Sequence, residues 1–200
     1  MSASGAPQAN PAALGLVGFG LTTVLLSLIN AGLLPAGGEP VVFPLAIAFG
    51  GTAQIIAGIM EYKVANTFGA TAFTAYGAFW WWFALLLLFN GNHVIDISNA
   101  GPTVGVALLL WGLFTFGLWI STFKLPKLLF LIFLTLWIAF LLLGLGGVLG
   151  NPMLHTLGGY DGLICGLLAM YGSFAITTNT TFGRTVIPVG DRNRGKSPCA

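Results

Sequence analysis

Six apolar runs, each close to the length of a membrane-spanning helix, follow one another along this 200-residue chain. An α-helix needs about 20 predominantly apolar residues to cross the hydrocarbon core of a bilayer. The runs lie at about residues 12–35, 41–62, 71–89, 102–123, 128–150 and 156–178. They occupy most of the chain and leave short connections. The sequence therefore predicts an all-α integral membrane protein with a single membrane domain over residues 1–200.

The scarcity of charge supports this prediction. Only 6% of the residues are charged, whereas soluble domains carry about a quarter. A membrane β-barrel would show alternating segments of about ten residues, but these runs are continuous and rich in Leu, Ala and Gly. The residues before the first run lack the basic flank and small-residue cleavage site of a signal peptide, so we expect the first run to remain part of the fold.

The basic residues fall on one side of the six predicted helices. They are Lys63, Lys124, Lys127, Arg184, Arg192, Arg194 and Lys196. The opposite side receives Glu39, His93, Asp96 and His155. Because cytoplasmic loops carry an excess of Lys and Arg, both termini are predicted to lie in the cytoplasm of a multi-pass plasma-membrane protein. The basic tail, residues 179–200, is expected to face anionic membrane lipid and not nucleic acid.

Small residues form stripes on two of the predicted helices. In the second run Ala46, Gly50, Gln54 and Gly58 recur every four residues, and in the sixth run Gly158, Gly162 and Gly166 do the same. Residues four apart share a helix face, and small faces let neighbouring helices approach closely. Gln54 stands out because its amide lies near mid-span among small residues. We expect it to line an aqueous path.

Other polar residues are predicted to avoid lipid. The hydroxyls of Thr22, Thr23 and Thr74 fall inside predicted spans, where they either pair across helices or line a path. Asn10 followed by Pro11 is typical of a helix start. The free N–H groups and positive dipole of such a start attract carboxylates.

Ionisable groups are missing from the middle of every predicted span. Glu61 and Lys63 close the second run, where we expect them to form an interfacial pair. Pumps and voltage sensors use intramembrane charges, so a pump is disfavoured. His93 and His155 are isolated, so the sequence shows no catalytic or metal-binding cluster. We expect a protein that is not an enzyme and that has no cofactor.

Several motifs resemble one known family. NPAALGL at residues 10–16, followed by GFG, is similar to the NPAPLGL signature of the acetate uptake transporter family, the succinate-acetate permeases, with Ala13 in place of the second proline. Further matches are GGTAQIIAGIMEYKVANTFGATAFTAYGAFW at 50–80, LWGLFTF at 110–116 and FGRTVIPVG at 182–190. The resemblance covers essentially the whole chain.

This resemblance implies a six-helix protomer in a hexameric ring, with a separate pore in each protomer. It implies transport of acetate and related small monocarboxylates, and of succinate in some members. The pore of the family narrows at a Phe, a Tyr and a Leu. By motif alignment these correspond to Phe19, Tyr76 and Leu136.

Elementary chemistry is consistent with that implication. Acetate is almost wholly anionic at neutral pH, so its water must be replaced inside a bilayer. Uncharged groups such as the Gln54 amide and the helix start at Asn10 offer weak binding, which permeation favours over tight binding. The sequence leaves open whether the path is a channel or a proton-coupled carrier.

Two other functions stay open at this point. A channel for neutral solutes such as water, ammonia or urea would share the same uncharged path. A structural or regulatory membrane protein would use the glycine stripes for assembly and would bind the acid without moving it.

Overall fold

The computed structural model describes residues 9–191 and contains six helices long and apolar enough to cross a membrane. They are α1 (Ala12–Asn30), α2 (Glu39–Lys63), α3 (Thr67–Gly91), α4 (Gly101–Lys124), α5 (Lys127–Leu149) and α6 (Pro152–Phe182). Each helix matches one apolar run of the sequence. The predicted all-α class with six spans is therefore confirmed.

Four helix ends differ from the predicted ends by four residues or more: the end of α1, the start of α3 and both ends of α6. Two of these differences have a clear local cause. α1 ends five residues before the apolar run does, because Gly32 has a φ of 72° and Pro35 follows. α6 begins one turn earlier than predicted, since Asn151 Oδ1 accepts hydrogen bonds from the amides of Met153 at 3.0 Å and Leu154 at 3.3 Å. Asn151 is a helix cap that lies outside the apolar run, so hydropathy alone does not locate it.

Connectivity places four of the basic side chains at one end of the bundle, which we name the basic end. Lys63 ends α2, Lys124 ends α4, Lys127 begins α5 and Arg184 follows α6. Arg192, Arg194 and Lys196 lie outside the described residues. α1, α3 and α5 run away from the basic end, and α2, α4 and α6 run towards it.

α2 changes helix type along its length. It is α-helical over Glu39–Leu45, a π-helix over Ala46–Ala53 and α-helical again over Gln54–Lys63. A π-helix has wider turns than an α-helix. Within this π-helix the Thr52 hydroxyl donates a hydrogen bond to the carbonyl of Ile47, five residues earlier, at 2.8 Å. π-helical turns are rare and are found mostly at functional sites. Here the π-helix ends immediately before Gln54.

The helices pack in a closed order in which α1 lies between α2 and α6, and α5 lies between α4 and α6. Glycine permits the closest approaches. A Cβ atom on Gly20 of α1 would lie 2.7 Å from the carbonyl oxygen of Gly166 on α6. A Cβ atom on Gly105 of α4 would lie 2.6 Å from the carbonyl oxygen of Gly144 on α5. Both separations are too short for any side chain, so close packing requires glycine where α1 meets α6 and where α4 meets α5. Gly166 belongs to the small-residue stripe of the sixth apolar run.

Candidate functional site

A cavity of about 280 Å³ opens at the basic end of the bundle. We name it the vestibule. Its walls come from the start of α1, the α2–α3 loop, the starts of α3 and α5, the end of α6 and the segment after α6. The lining residues are Asn10, Ala12, Leu16, Asn66, Phe68, Gly69, Ala72, Phe73, Pro126, Leu128, Leu129, Phe133, Gly172, Ile176 and Val189. Asn10 is placed here by its own helix start, where its Oδ1 accepts from the amide of Ala12 at 3.0 Å.

A second, much smaller cavity of about 20 Å³ lies deeper in the bundle, and we name it the neck. Its lining residues are Leu16, Phe19, Gln54, Ala72, Phe73, Tyr76, Ile132, Phe133 and Leu136. Leu16, Ala72, Phe73 and Phe133 line both cavities. Since a water molecule needs about 10–15 Å³ measured in this way, the neck has room for about one water. The vestibule thus narrows into the centre of the protomer.

The aromatic side of the neck is formed by Phe19 of α1 and Tyr76 of α3. Their ring centroids are 5.9 Å apart with an interplanar angle of 50°. The hydroxyl groups of Tyr76 and Thr115 lie 2.9 Å apart. The Thr115 hydroxyl already donates to the carbonyl of Trp111 at 2.7 Å, so the Tyr76 hydroxyl is the donor between them. This bond fixes the ring against α4 and leaves its apolar face in the neck.

Gln54 provides the polar group of the neck. Its side chain is 1% exposed, and neither its amide nitrogen nor its amide oxygen has a hydrogen-bond partner among residues 9–191. Leaving a buried polar group unpaired costs about 1–3 kcal/mol. This cost is avoided when the amide forms hydrogen bonds with a ligand or a water molecule in the neck.

On the side away from the vestibule, the neck is bounded by packed aromatic rings. The Phe79 ring contacts Phe140 and Trp111 edge to face, with centroid distances of 5.3 Å in each case. Phe79 lies one turn beyond Tyr76 on α3, and Phe140 lies one turn beyond Leu136 on α5. The wide opening of this structure is therefore at the basic end.

The structure brings together five of the eight residues singled out in the sequence. Phe19, Gln54, Tyr76 and Leu136 line the neck, and Asn10 lines the vestibule. The three threonines line neither cavity. Thr22 and Thr23 donate to carbonyls of their own helix, those of Gly18 at 2.9 Å and Phe19 at 2.7 Å. Thr74 packs against Gly58 in the contact between α2 and α3.

Sequence reasoning missed the residues one helical turn closer to the vestibule. Leu16 precedes Phe19 by three residues, Phe73 precedes Tyr76 by three, and Phe133 precedes Leu136 by three. Residues three or four apart share a helix face, so applying this spacing to the three predicted neck residues would have found the others. Thr115 lies inside the LWGLFTF motif, but its contact with Tyr76 depends on how α3 and α4 meet.

One expectation needs correction. Glu61 does not form an interfacial pair with Lys63. It is 1% exposed, and its Oε2 accepts a hydrogen bond from Asn66 Nδ2 at 2.8 Å. Trp80 is a second large side chain that lies inside the bundle, since it is 2% exposed and packs against Gly50 of α2. Both side chains fit inside because glycine on the facing helix provides space.

The site is uncharged. None of the residues that line the vestibule or the neck carries an ionisable acid or base of the Asp, Glu, His, Lys or Arg type. Over the described residues there is also no group of three or more His, Cys, Asp or Glu side chains that could hold a metal ion. The arrangement offers an amide, backbone groups and apolar walls. It suits passage of a small solute.

Six membrane helices around a narrowing, uncharged cavity define the class of small-solute transporters and channels. The chain belongs to the GPR1/FUN34/yaaH family, whose profile matches residues 2–191. It is 44% identical to the succinate-acetate/proton symporter SatP of Escherichia coli strain K12, over 92% of this chain and 96% of SatP. The family assignment agrees with the resemblance inferred from the motifs.

Other relatives extend the comparison. Acetate permease A of Emericella nidulans is 37% identical, over 90% of this chain and 65% of the permease. Ammonia transport outward protein 2 of Saccharomyces cerevisiae is 39% identical, over 84% of this chain and 61% of that protein. The solved structure of the bacterial acetate channel SatP matches with a TM-score of 0.88 and 43% identity, covering 92% of this chain and all of SatP.

Proposed function

We propose that this protein moves acetate and related small monocarboxylates, with succinate as a further substrate, across the membrane through the vestibule and neck. The observation that carries this proposal is the Gln54 amide. It is buried in the wall of the neck and has no hydrogen-bond partner among residues 9–191. An amide N–H can donate to a carboxylate, and the methyl group of acetate suits the apolar walls. Relatives named as a succinate-acetate/proton symporter and an acetate permease support the substrate class.

The neck would select by size and by the cost of dehydration. Phe19, Tyr76 and Leu136 leave about 20 Å³, so a solute must shed most of its water to pass. Inorganic ions lose strong hydration there and gain little, whereas a small carboxylate gains one amide hydrogen bond and apolar contact. Because no fixed cation binds the carboxylate in the lining, it is released readily on the other side.

The experiment is uptake of radiolabelled acetate into vesicles containing wild-type or Gln54→Leu protein. Loss of a hydrogen bond to a charged group costs about 1.5–3 kcal/mol, so acetate flux should fall about 10-fold to 100-fold. Thr181→Val is the control for exchanging a polar side chain for an apolar one, because the exposed Thr181 hydroxyl donates to the carbonyl of Thr177 at 2.9 Å within α6 and lines neither cavity. Equal flux in wild-type and Gln54→Leu vesicles would contradict the proposed role of the amide.

A neutral-solute channel is the second candidate, favoured by the uncharged lining and by the relative named as an ammonia transport outward protein. Parallel measurements of methylammonium flux, osmotic water flux and acetate flux in the same vesicles separate the two functions. Acetate flux above that of protein-free vesicles supports the carboxylate function. Methylammonium or water flux without acetate flux supports the alternative.

We further propose that protomers assemble as a hexameric ring with one pore each, in a plasma membrane, with the basic end and both termini in the cytoplasm. The positive-inside rule supports the orientation. The exposure of α4 supports assembly. Only 17% of the residues in its most apolar stretch are buried within the protomer, compared with 50% for α1. Leu110 and Leu113 project from this face, and other protomers and membrane lipid would cover it.

A further inference from the structure

A row of polar side chains with unpaired atoms runs from the neck towards the basic end, between α2 and α3. Gln54, Ala57, Gly58 and Glu61 form the buried face of the last part of α2. Gln54 lies at one end of the row and Glu61 at the other, with Thr74 of α3 against Gly58 between them. The Gln54 amide, the Thr74 hydroxyl and Glu61 Oε1 each lack a hydrogen-bond partner in the described part of the chain.

Glu61 occupies an unusual position for a carboxyl group. It is 1% exposed, and one of its oxygens, Oε2, is held by the Asn66 amide while Oε1 is unpaired within residues 9–191. Asn66 and Gly69 line the vestibule. A Cβ atom on Gly69 would lie 2.8 Å from the Glu61 carboxyl carbon, so only glycine lets this carboxyl group sit directly behind the vestibule wall.

No charge from the neighbouring helices neutralises Glu61. α1 and α3, which pack against this part of α2, contain no Asp, Glu, His, Lys or Arg. Tyr76 is the single titratable side chain on those two helices, and its hydroxyl donates to Thr115 instead. On α2 itself, Tyr62 and Lys63 are exposed. Among the described residues, the buried carboxyl group therefore has a hydrogen-bond donor but no ion-pair partner.

Successive members of the row lie about one helical turn apart. Along the helix axis, the backbone positions of Gln54 and Gly58 are about 6 Å apart, and those of Gly58 and Glu61 are about 4.5 Å apart. Proton transfer over such a step needs a relay, either a hydroxyl group or a water molecule that enters from the neck or the vestibule. The Thr74 hydroxyl can both accept and donate, so it can pass a proton along the row.

We propose that Glu61 binds the proton that travels with the carboxylate, an inference that rests on the proposed transport of small carboxylates. The proton leaves the carboxylic acid in the neck, which becomes the carboxylate. The Thr74 hydroxyl accepts this proton and donates its own along the row, and an O–H bond forms at Oε1 of the deprotonated Glu61. That bond then breaks and the proton passes to water in the vestibule beside Asn66. One proton and one carboxylate reach the same side, so the cycle moves no net charge.

The test compares wild-type, Glu61→Gln and Glu39→Gln proteins in sealed vesicles with two readouts. The first is exchange of external radiolabelled acetate for internal acetate at equal pH. The second is net acetate uptake driven by an inside-positive potential, set with potassium and valinomycin at about pH 8, where little undissociated acid leaks through lipid. Glu39→Gln is the matched control, because it removes the same charge from the half-buried start of α2, at the end of the bundle opposite the basic end.

Wild-type and Glu39→Gln proteins should exchange acetate, and an inside-positive potential should leave their net uptake unchanged. Glu61→Gln keeps an oxygen for Asn66 but holds no titratable proton, so exchange should continue while net uptake becomes several-fold faster under the potential. An unchanged voltage response in Glu61→Gln would overturn the inference. Voltage-driven uptake already present in the wild type, or loss of exchange in a correctly folded Glu61→Gln protein, would do the same.

A different outcome identifies failure of the proposed function itself: wild-type vesicles that exchange acetate no faster than protein-free vesicles. If Glu61→Gln does not elute as wild type in size-exclusion chromatography, Thr74→Val replaces it, with Thr177→Val as control. Thr177 donates to a carbonyl of its own helix at 3.0 Å, outside the row. Thr74→Val should slow uptake driven by a pH gradient more than it slows exchange, and equal slowing of both would overturn the inference.

Discussion

Glycine allows close packing both between α1 and α6 and between α2 and α3, but the two contacts differ in whether their polar side chains have hydrogen-bond partners. Between α1 and α6, Gly20 meets the backbone of Gly166, and the Ser173 hydroxyl donates to the carbonyl of Ala13 at 2.6 Å. Between α2 and α3, Gly58 meets Thr74, whose hydroxyl has no partner over residues 9–191.

The difference shows how the glycine-rich helix faces of this protein can be interpreted. Close approach alone is a packing device, and it accompanies satisfied polar groups between α1 and α6. Unpaired buried polar groups are costly and rare, and four of the seven such side-chain atoms among the described residues lie along the contact between α2 and α3. This concentration supports the proposed functional role of that contact. The neighbours Phe19 and Gly20 show the same division within one helix, since Phe19 faces the neck and Gly20 faces α6.

The largest expected effect comes from filling the packing contact. In Gly20→Leu, the new side chain would collide with backbone atoms of α6, 2.7 Å from its Cβ, and backbone cannot move aside as a side chain can. We expect a loss of stability above about 3 kcal/mol and little folded protein. Gly117→Leu is the control, because a Cβ there meets nothing within 4 Å. Recovery after detergent extraction and the thermal midpoint measure the effect, and equal recovery of the two variants would contradict this account.

The next effect is expected for Phe19→Ala, in which a loss of stability accompanies a clear change in function. Removing a buried Phe side chain costs about 3–5 kcal/mol when the site cannot collapse, and here it also widens the neck. Flux of propionate and butyrate relative to acetate should rise several-fold. Transport competition by acids of increasing length checks this, with Leu21→Ala on the exposed face of α1 as control. Unchanged exclusion of the longer acids would remove Phe19 from the selectivity mechanism.

The smallest effect is expected outside both contacts, at Asp96 in the loop between α3 and α4. The Ser98 amide donates to its carboxylate at 2.9 Å, and this bond lowers the pKa of Asp96 below its usual value. A lowered folded-state pKa stabilises the protein above the unfolded pKa of about 3.9, and this stabilisation is lost as pH falls through the folded-state pKa. Asp96→Asn should lower the thermal midpoint slightly at neutral pH, and the difference should vanish in acid. A difference that grows in acid would reverse this assignment.

Several features of the fold and of the site could be predicted from the sequence because they depend on local chemistry. Hydropathy located all six helices, and Phe19, Gln54, Tyr76 and Leu136 were selected before their shared cavity was known. Helix ends were less accurate, because Gly32 and Asn151 act through backbone conformation and capping. The prediction for Glu61 was wrong because its position near the end of α2 suggested exposure, whereas Gly69 on a neighbouring helix makes room for it inside.

By itself, the sequence determined that this chain belongs in a membrane, that it crosses six times, and that its interior has few charges. These properties follow from composition and from the lengths of the apolar runs. Long apolar segments are stable in the hydrocarbon core of a bilayer, where the backbone must satisfy its own hydrogen bonds by forming helices. Only the tertiary structure decided which polar atoms have partners and which do not. Hydrogen bonding across helices depends on register and approach distance, and these are set by packing between residues far apart in the chain, as with Gly58 and Thr74.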